Sequence, residues 1–299
     1  MWQKLLGLSL AAMTGTLANA AVLWNNGGFV TSPAGGTGSI AGQPISAGEL
    51  VANSSIPSRT VGVSATAEFG IRVAEDFVVP AGSAWDLDTL RVFGFQQSLA
   101  GPTVSAVKVN LWTSAPFDAL SPSPRPSPLP QPVLAQSLTL PVTGSEFVAY
   151  RQLSTGTSSS SRPIYGYDVS LDALPNAGLL TEGTYWLEWS LVGTVVPGST
   201  SQTQVIVPLV APRGDAVNLN ARQYAPANIN GDGVLVTTWF ESREVRYQLE
   251  TVNGNPTHVG YFDQAMALPF VLGGESVVVP EPGIVWVVPL SALLLGRRR

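Results

Sequence analysis

The chain has no cysteine in its 299 residues and only one histidine, His258. Without thiols there can be no disulfide framework, thiolate metal site or cysteine nucleophile. A single imidazole excludes a histidine metal cluster, and any Ser-His-Asp triad would have to use His258. That residue follows Asn253-Gly254-Asn255-Pro256-Thr257, a turn setting. No Gly-x-Ser-x-Gly elbow is present. Charge is also scarce: Asp, Glu, Lys and Arg make up 12% of the chain, against about 25% in typical globular proteins. The net charge is −5, and three of the 15 basic residues are Arg297, Arg298 and Arg299 at the very end. The rest is therefore more acidic still, which argues against nucleic acid as a partner. Long apolar runs are missing too. The longest uncharged tail segment, Gly283 to Leu295, falls short of the ~20 residues that a helix needs to span a bilayer core.

What is abundant is apolar and turn-forming material, with 45% hydrophobic residues, 30 glycines and 24 prolines. The strand signal is densest from Phe69 to Trp112. Ile71, Val73 and Phe77-Val78-Val79 lead to a turn expected at Pro80-Ala81-Gly82. Val107, Val109 and Leu111 alternate with Lys108 and Asn110. Ile164 to Leu171 alternates as well. In Leu180 to Leu191 the period places Tyr185, Leu187, Trp189 and Leu191 on one face, with Trp186, Glu188 and Ser190 on the other, expected to be solvated. Such chemistry predicts an all-β fold with long Gly/Ser/Pro loops. In the segment Pro116 to Pro132, alternating proline removes ladder donors and fixes φ, so it is expected to be an extended loop. A loop within one domain is favoured there over a linker between two.

Both chain ends stand apart from this body. Met1 to Ala20 has one basic residue, Lys4, then Leu5 to Met13, then Ala18-Asn19-Ala20. That order reads as a secretory signal helix cut after Ala20. The body would occupy residues 21–276 and the tail residues 277–299. In the tail, Pro280-Glu281-Pro282 is followed by the apolar stretch and the three arginines, a marginal membrane anchor whose cationic flank favours the cytoplasmic side. The three parts in this order resemble the PEP-CTERM sorting signal of Gram-negative bacteria. The resemblance implies a short C-terminal hydrophobic helix at the inner membrane, processing by an exosortase, and delivery to the cell surface or an exopolysaccharide matrix. Val22-Leu23-Trp24-Asn25-Asn26-Gly27, Arg72-Val73-Ala74-Glu75-Asp76-Phe77, Gly183-Thr184-Tyr185-Trp186-Leu187-Glu188-Trp189 and Leu268-Pro269-Phe270-Val271-Leu272-Gly273 are similar to segments of secreted bacterial β-sandwich proteins that carry such tails. This implies an antiparallel, jelly-roll-like sandwich, and it implies no reaction.

Chemistry has few candidates. Glycosidase-type catalysis needs a carboxylate pair, and Glu75, Asp76, Glu182 and Glu188 are available for one. Asn228-Ile229-Asn230-Gly231-Asp232-Gly233 resembles the start of an EF-hand loop, yet Trp239 occupies the twelfth position where a bidentate Glu is required. Glu241 could assist. A Gly-rich turn explains the same residues, and no cofactor or metal is expected. Trp24, Trp85, Trp112, Tyr185, Trp186 and Trp189 could stack on sugars, with Trp186 the expected glycan contact, although most should fill the core. The function expected is non-enzymatic residence at the envelope or matrix. A carbohydrate-binding or adhesive module is the alternative, and a glycan-degrading enzyme the remoter one.

Overall fold

In the computed structural model the described residues are 20–26, 28–47, 62–99, 101–116, 132–134, 137–152, 160–172, 179–198, 204–208, 221–227, 236–241, 243–252, 255–265 and 267–279. The expected signal helix and the tail beyond Val279 lie outside them, as do most of the Pro-rich stretch and Asn228 to Val234, which includes Asp232. Among the described residues the protein is all-β, and no helix is long and apolar enough to cross a membrane. The strands are β1 (Ala21–Asn25), β2 (Ile45–Ala47), β3 (Val63–Ser64), β4 (Arg72–Gln96), β5 (Ala106–Trp112), β6 (Leu138–Pro141), β7 (Gly144–Gln152) and β8 (Pro163–Ser170). They continue with β9 (Leu180–Val192), β10 (Val205–Val207), β11 (Arg222–Ala227), β12 (Val236–Glu241), β13 (Arg243–Val252), β14 (Asn255–Ala265) and β15 (Phe270–Val278).

The long strand β4 organises the rest. Its first part, Val73 to Val79, pairs with β9, while Arg72 to Ala74 pair with β11 on the other side. Its second part, Ser83 to Gly94, lies between β15 and β8. One ladder therefore runs β6-β5-β9-β4-β11-β12 and a second runs β2-β7-β8-β4-β15-β1. The only parallel pair in them is β2 with β7. The turn expected at Pro80-Ala81-Gly82 is instead a bulge. Val79 faces Gly183 and Ala84 faces Thr181, so extra residues of β4 loop out without reversing the chain. Proline suits that place because the ladder asks no N–H of it. Gly82 adopts φ 71°, which a glycine tolerates best, and donates its N–H to the Glu182 carboxylate at 2.9 Å. Such bulges bend the strand and increase its local twist.

Alternation decides what the two ladders bury. Val73, Phe77 and Val79 from the first part of β4, Leu90 and Val92 from the second, and Leu187, Trp189 and Leu191 of β9 join one cluster. The ladders meet in it through aromatic rings. Phe270 of β15 lies 6.3 Å from Phe77 and 5.8 Å from Trp189, and Phe77 also stacks on Tyr185 and Trp85. Each such pair adds about 0.5–1.5 kcal/mol beyond its area burial. Strands β13 and β14 form a separate two-stranded sheet. This places His258 on a strand opposite Leu249, which corrects the turn setting expected for it.

Candidate functional site

The four similar segments noted in the sequence converge. Glu75 is buried and its Oε2 accepts the Leu268 backbone N–H at 2.6 Å, while Oε1 accepts the Asp76 N–H at 3.2 Å. On the other side of the Leu268 peptide, Asn26 Nδ2 donates to Leu268 O at 2.9 Å, and the Asn26 N–H donates to Phe270 O at 2.9 Å. The bend that feeds β15 is thus held by residues from the start of the body and from β4. Pro269 follows Leu268 and brings no N–H, so side chains must supply what a ladder does not. Burial pushes the Glu75 carboxyl well above its ordinary range, and the neighbouring Asp76 charge adds to it. Burial likewise raises Asp76 to about 6, against a hydrogen bond from Glu75 that lowers it.

A second cluster sits on the face of β9 opposite the core. Glu188 is buried, and its carboxylate accepts from Trp112 Nε1 at 2.8 Å and from Arg72 at 3.1 Å. The Arg72 guanidinium lies 4.1 Å over the Tyr224 ring. Burial raises the Glu188 pKa despite the opposing pull of Arg72 and Trp112. Trp186 sits beside it, wholly buried and packed with Ala74, Trp112, Ala115 and Tyr224. The sequence expectation that Trp186 offers an exposed ring to a glycan is therefore corrected. Trp186 is closed off because Trp112, Ala115 and Tyr224 pack against it. Glu188→Ala would take the acceptor from the Trp112 indole N–H and one partner from the partly exposed Arg72, and it is expected to lower stability by about 1–3 kcal/mol. Glu188→Gln, which keeps an acceptor, should lose less, as thermal melts of the two variants would show.

The other sequence candidates do not assemble into a centre. Glu182 is exposed at the β4 bulge, and Trp239 and Glu241 fall on β12, opposite Tyr224 and Arg222. Trp85 and Trp189 fill the core, with Trp24 and Tyr185 against it. No group of three or more His, Cys, Asp or Glu able to hold a metal occurs among the described residues.

Comparison with family models, curated proteins and solved structures finds no match to this chain. The site must therefore be read from its own geometry. One feature of it escaped the sequence reading altogether. Arg91 of β4 faces Asp168 of β8, and the two form a two-pronged pair, Nε to Oδ1 at 2.7 Å and Nη2 to Oδ2 at 2.8 Å. Its remaining Nη1 reaches Glu146 of β7 at 3.1 Å. These carboxylates hold Arg91 firmly charged. Beside it opens a groove of about 460 Å³ lined by Asn25, Gly28, Phe29, Val30, Arg91, Phe93, Glu146, Phe147, Val148 and Val271. The only available signal was the alternation of β8, which puts Asp168 on the face away from Tyr167.

Proposed function

We propose that this chain is an exported, non-enzymatic β-sandwich protein that a C-terminal signal delivers to the cell envelope or the extracellular matrix. The observation that carries the reading is the order of three features after the last strand: Pro280-Glu281-Pro282, the uncharged stretch Gly283 to Leu295, and Arg297 to Arg299. Processing by an exosortase at the inner membrane belongs to the same reading. The way the body closes lends support. β15 pairs as far as Val278 with Ser83, and the Val279 N–H makes one more bond to Gly82 O at 2.9 Å. The next residue, Pro280, has no N–H to continue the ladder. Val277, Val278 and Val279 are exposed, so the motif follows directly from a strand end at the surface.

The two ladders that share β4 are read as the layers of a jelly-roll-like sandwich, since both turn apolar residues into one core. A non-catalytic role is favoured because Glu75, Asp76 and Glu188 are buried and engaged in hydrogen bonds that hold the fold. A glycosidase needs its two carboxyls facing a substrate. The test is replacement of Pro280, Glu281 and Pro282 by alanine in the full chain, followed by fractionation of the producing cells. The altered chain should be retained at the inner membrane, with most of the surface signal lost. Undiminished surface delivery would overturn tail-directed sorting.

A further inference from the structure

We propose that the outer edge of β15, from Ser276 to Val278, is where the enzyme that processes the tail docks, by adding an extended segment of its own as a strand. The inference rests on the reading of the tail as a processed signal. The geometry of the edge follows from one bond. The Val279 N–H donates to Gly82 O at 2.9 Å, and Val278 lies opposite Ser83. In an antiparallel ladder, pairs that exchange hydrogen bonds alternate with pairs that do not. Val277 opposite Ala84 therefore bonds to β4, whereas Ser276 and Val278 turn their N–H and C=O groups away from it. Gly274, next in that outward row, lies opposite Ala21, the first residue of β1. Past this point no described strand pairs with β15 on that side. The row at Ser276 and Val278 is an open slot in line with β1.

Strand edges left uncovered are normally blunted by charge, proline or a bulge. Ser276-Val277-Val278 has none of these, and the Val277 and Val278 side chains are 44% and 79% exposed. Added strands take affinity from main-chain hydrogen bonds and specificity from alternate side chains, and this edge offers both. Its position selects the occupant. Pro280 and Pro282 follow at once and carry no N–H, so the motif gives a partner's backbone a single donor, that of Glu281. An enzyme that grips the chain beside the motif by its backbone must therefore use Ser276 and Val278. A second copy of this chain suits the edge less well. So short a row covers far less than the ~1,200 Å² of a stable interface, and each copy has a net charge of −5, which repels its like. A brief visit by an enzyme needs no such area.

The test is the rate at which the tail is removed from the full chain in the producing cells, followed by mass spectrometry after a pulse of synthesis. Ser276→Pro deletes an N–H that the β4 ladder does not use, at an edge where proline is tolerated. Its removal of the tail should slow on the order of tenfold, while Ser276→Ala, which keeps the N–H, matches the parent. Val278→Lys places a charge on the exposed edge and touches no ladder bond, and it should slow processing as well. Thermal melts of the variants identify any that fails to fold, and Val278→Lys decides the matter if Ser276→Pro does. The proposal is overturned if a folded Ser276→Pro or Val278→Lys chain is processed at the parent's rate. It is also overturned if sedimentation shows the parent to be a dimer that Ser276→Pro dissolves, which would assign the edge to a second copy. A parent whose tail stays intact would sink the sorting reading and this inference with it, whereas normal processing of the parent and of both edge variants sinks this inference alone.

Discussion

Glu75→Ala is expected to destabilise the body by about 3–5 kcal/mol, while Glu75→Gln keeps most of the stability. The alanine variant removes the acceptor of two buried backbone donors, Leu268 N–H and Asp76 N–H. Each orphaned donor costs about 1–3 kcal/mol, and the emptied volume adds to that. The damage should not stay local. The Leu268 bend sets the entry of β15, whose Phe270 is packed between Phe77 and Trp189. Glutamine fills the same space and accepts through its amide oxygen. Denaturant unfolding of the full chain, followed through its tryptophan fluorescence, separates the cases. A midpoint for Glu75→Ala equal to that of the parent would mean that the carboxyl does not hold the bend.

The body should also lose stability as pH rises from about 4 to about 7, contrary to the usual behaviour of proteins rich in paired carboxylates. Glu75, Asp76 and Glu188 are all raised in the folded state, chiefly by burial. A raised carboxyl binds its proton more tightly folded than unfolded. Its contribution is complete below the unfolded value and disappears as pH climbs through the folded one. For Asp76 that window runs from its ordinary 3.8 to about 6, which is worth on the order of 2–3 kcal/mol. Glu75, raised well above its ordinary range by burial, adds to the decline. Melting temperatures measured across this range should fall with pH, and Glu75→Gln should flatten the curve by removing one of the two neighbouring carboxyls. A parent profile that is flat, or that rises with pH, would show that the two carboxyls do not titrate as a buried pair.

Much of the fold was legible in the sequence because a strand half-buried against a core writes its own period. Leu187, Trp189 and Leu191 announce the inner face of β9, and Val107, Val109 and Leu111 that of β5. The same reasoning failed on the reverse face. Trp186 and Glu188 look solvated by alternation with the core residues, yet Trp112, Ala115 and Tyr224 pack there. Proline and glycine misled at Pro80-Ala81-Gly82, where the chemistry of a turn and of a bulge is the same and only the partner strand distinguishes them. His258 followed a turn-like run but lies on β14, because pairing with β13 overrides local preference. The Arg91 groove left almost no trace, since Arg91 of β4 meets Glu146 of β7 and Asp168 of β8, which lie 55 and 77 residues away in the chain.

By itself the sequence determined that this protein is built of strands, has no thiol chemistry, and carries Pro280-Glu281-Pro282, an uncharged stretch and three arginines in that order. These follow from composition, period two and residue order, which need no neighbour to be read. Only the tertiary structure decided that Glu75 and Asn26 grip the Leu268 bend, that Trp186 is closed off and that Arg91 borders an open groove. A strand's period says that its two faces differ, but what lies over each face is fixed by strands brought to it from elsewhere in the chain.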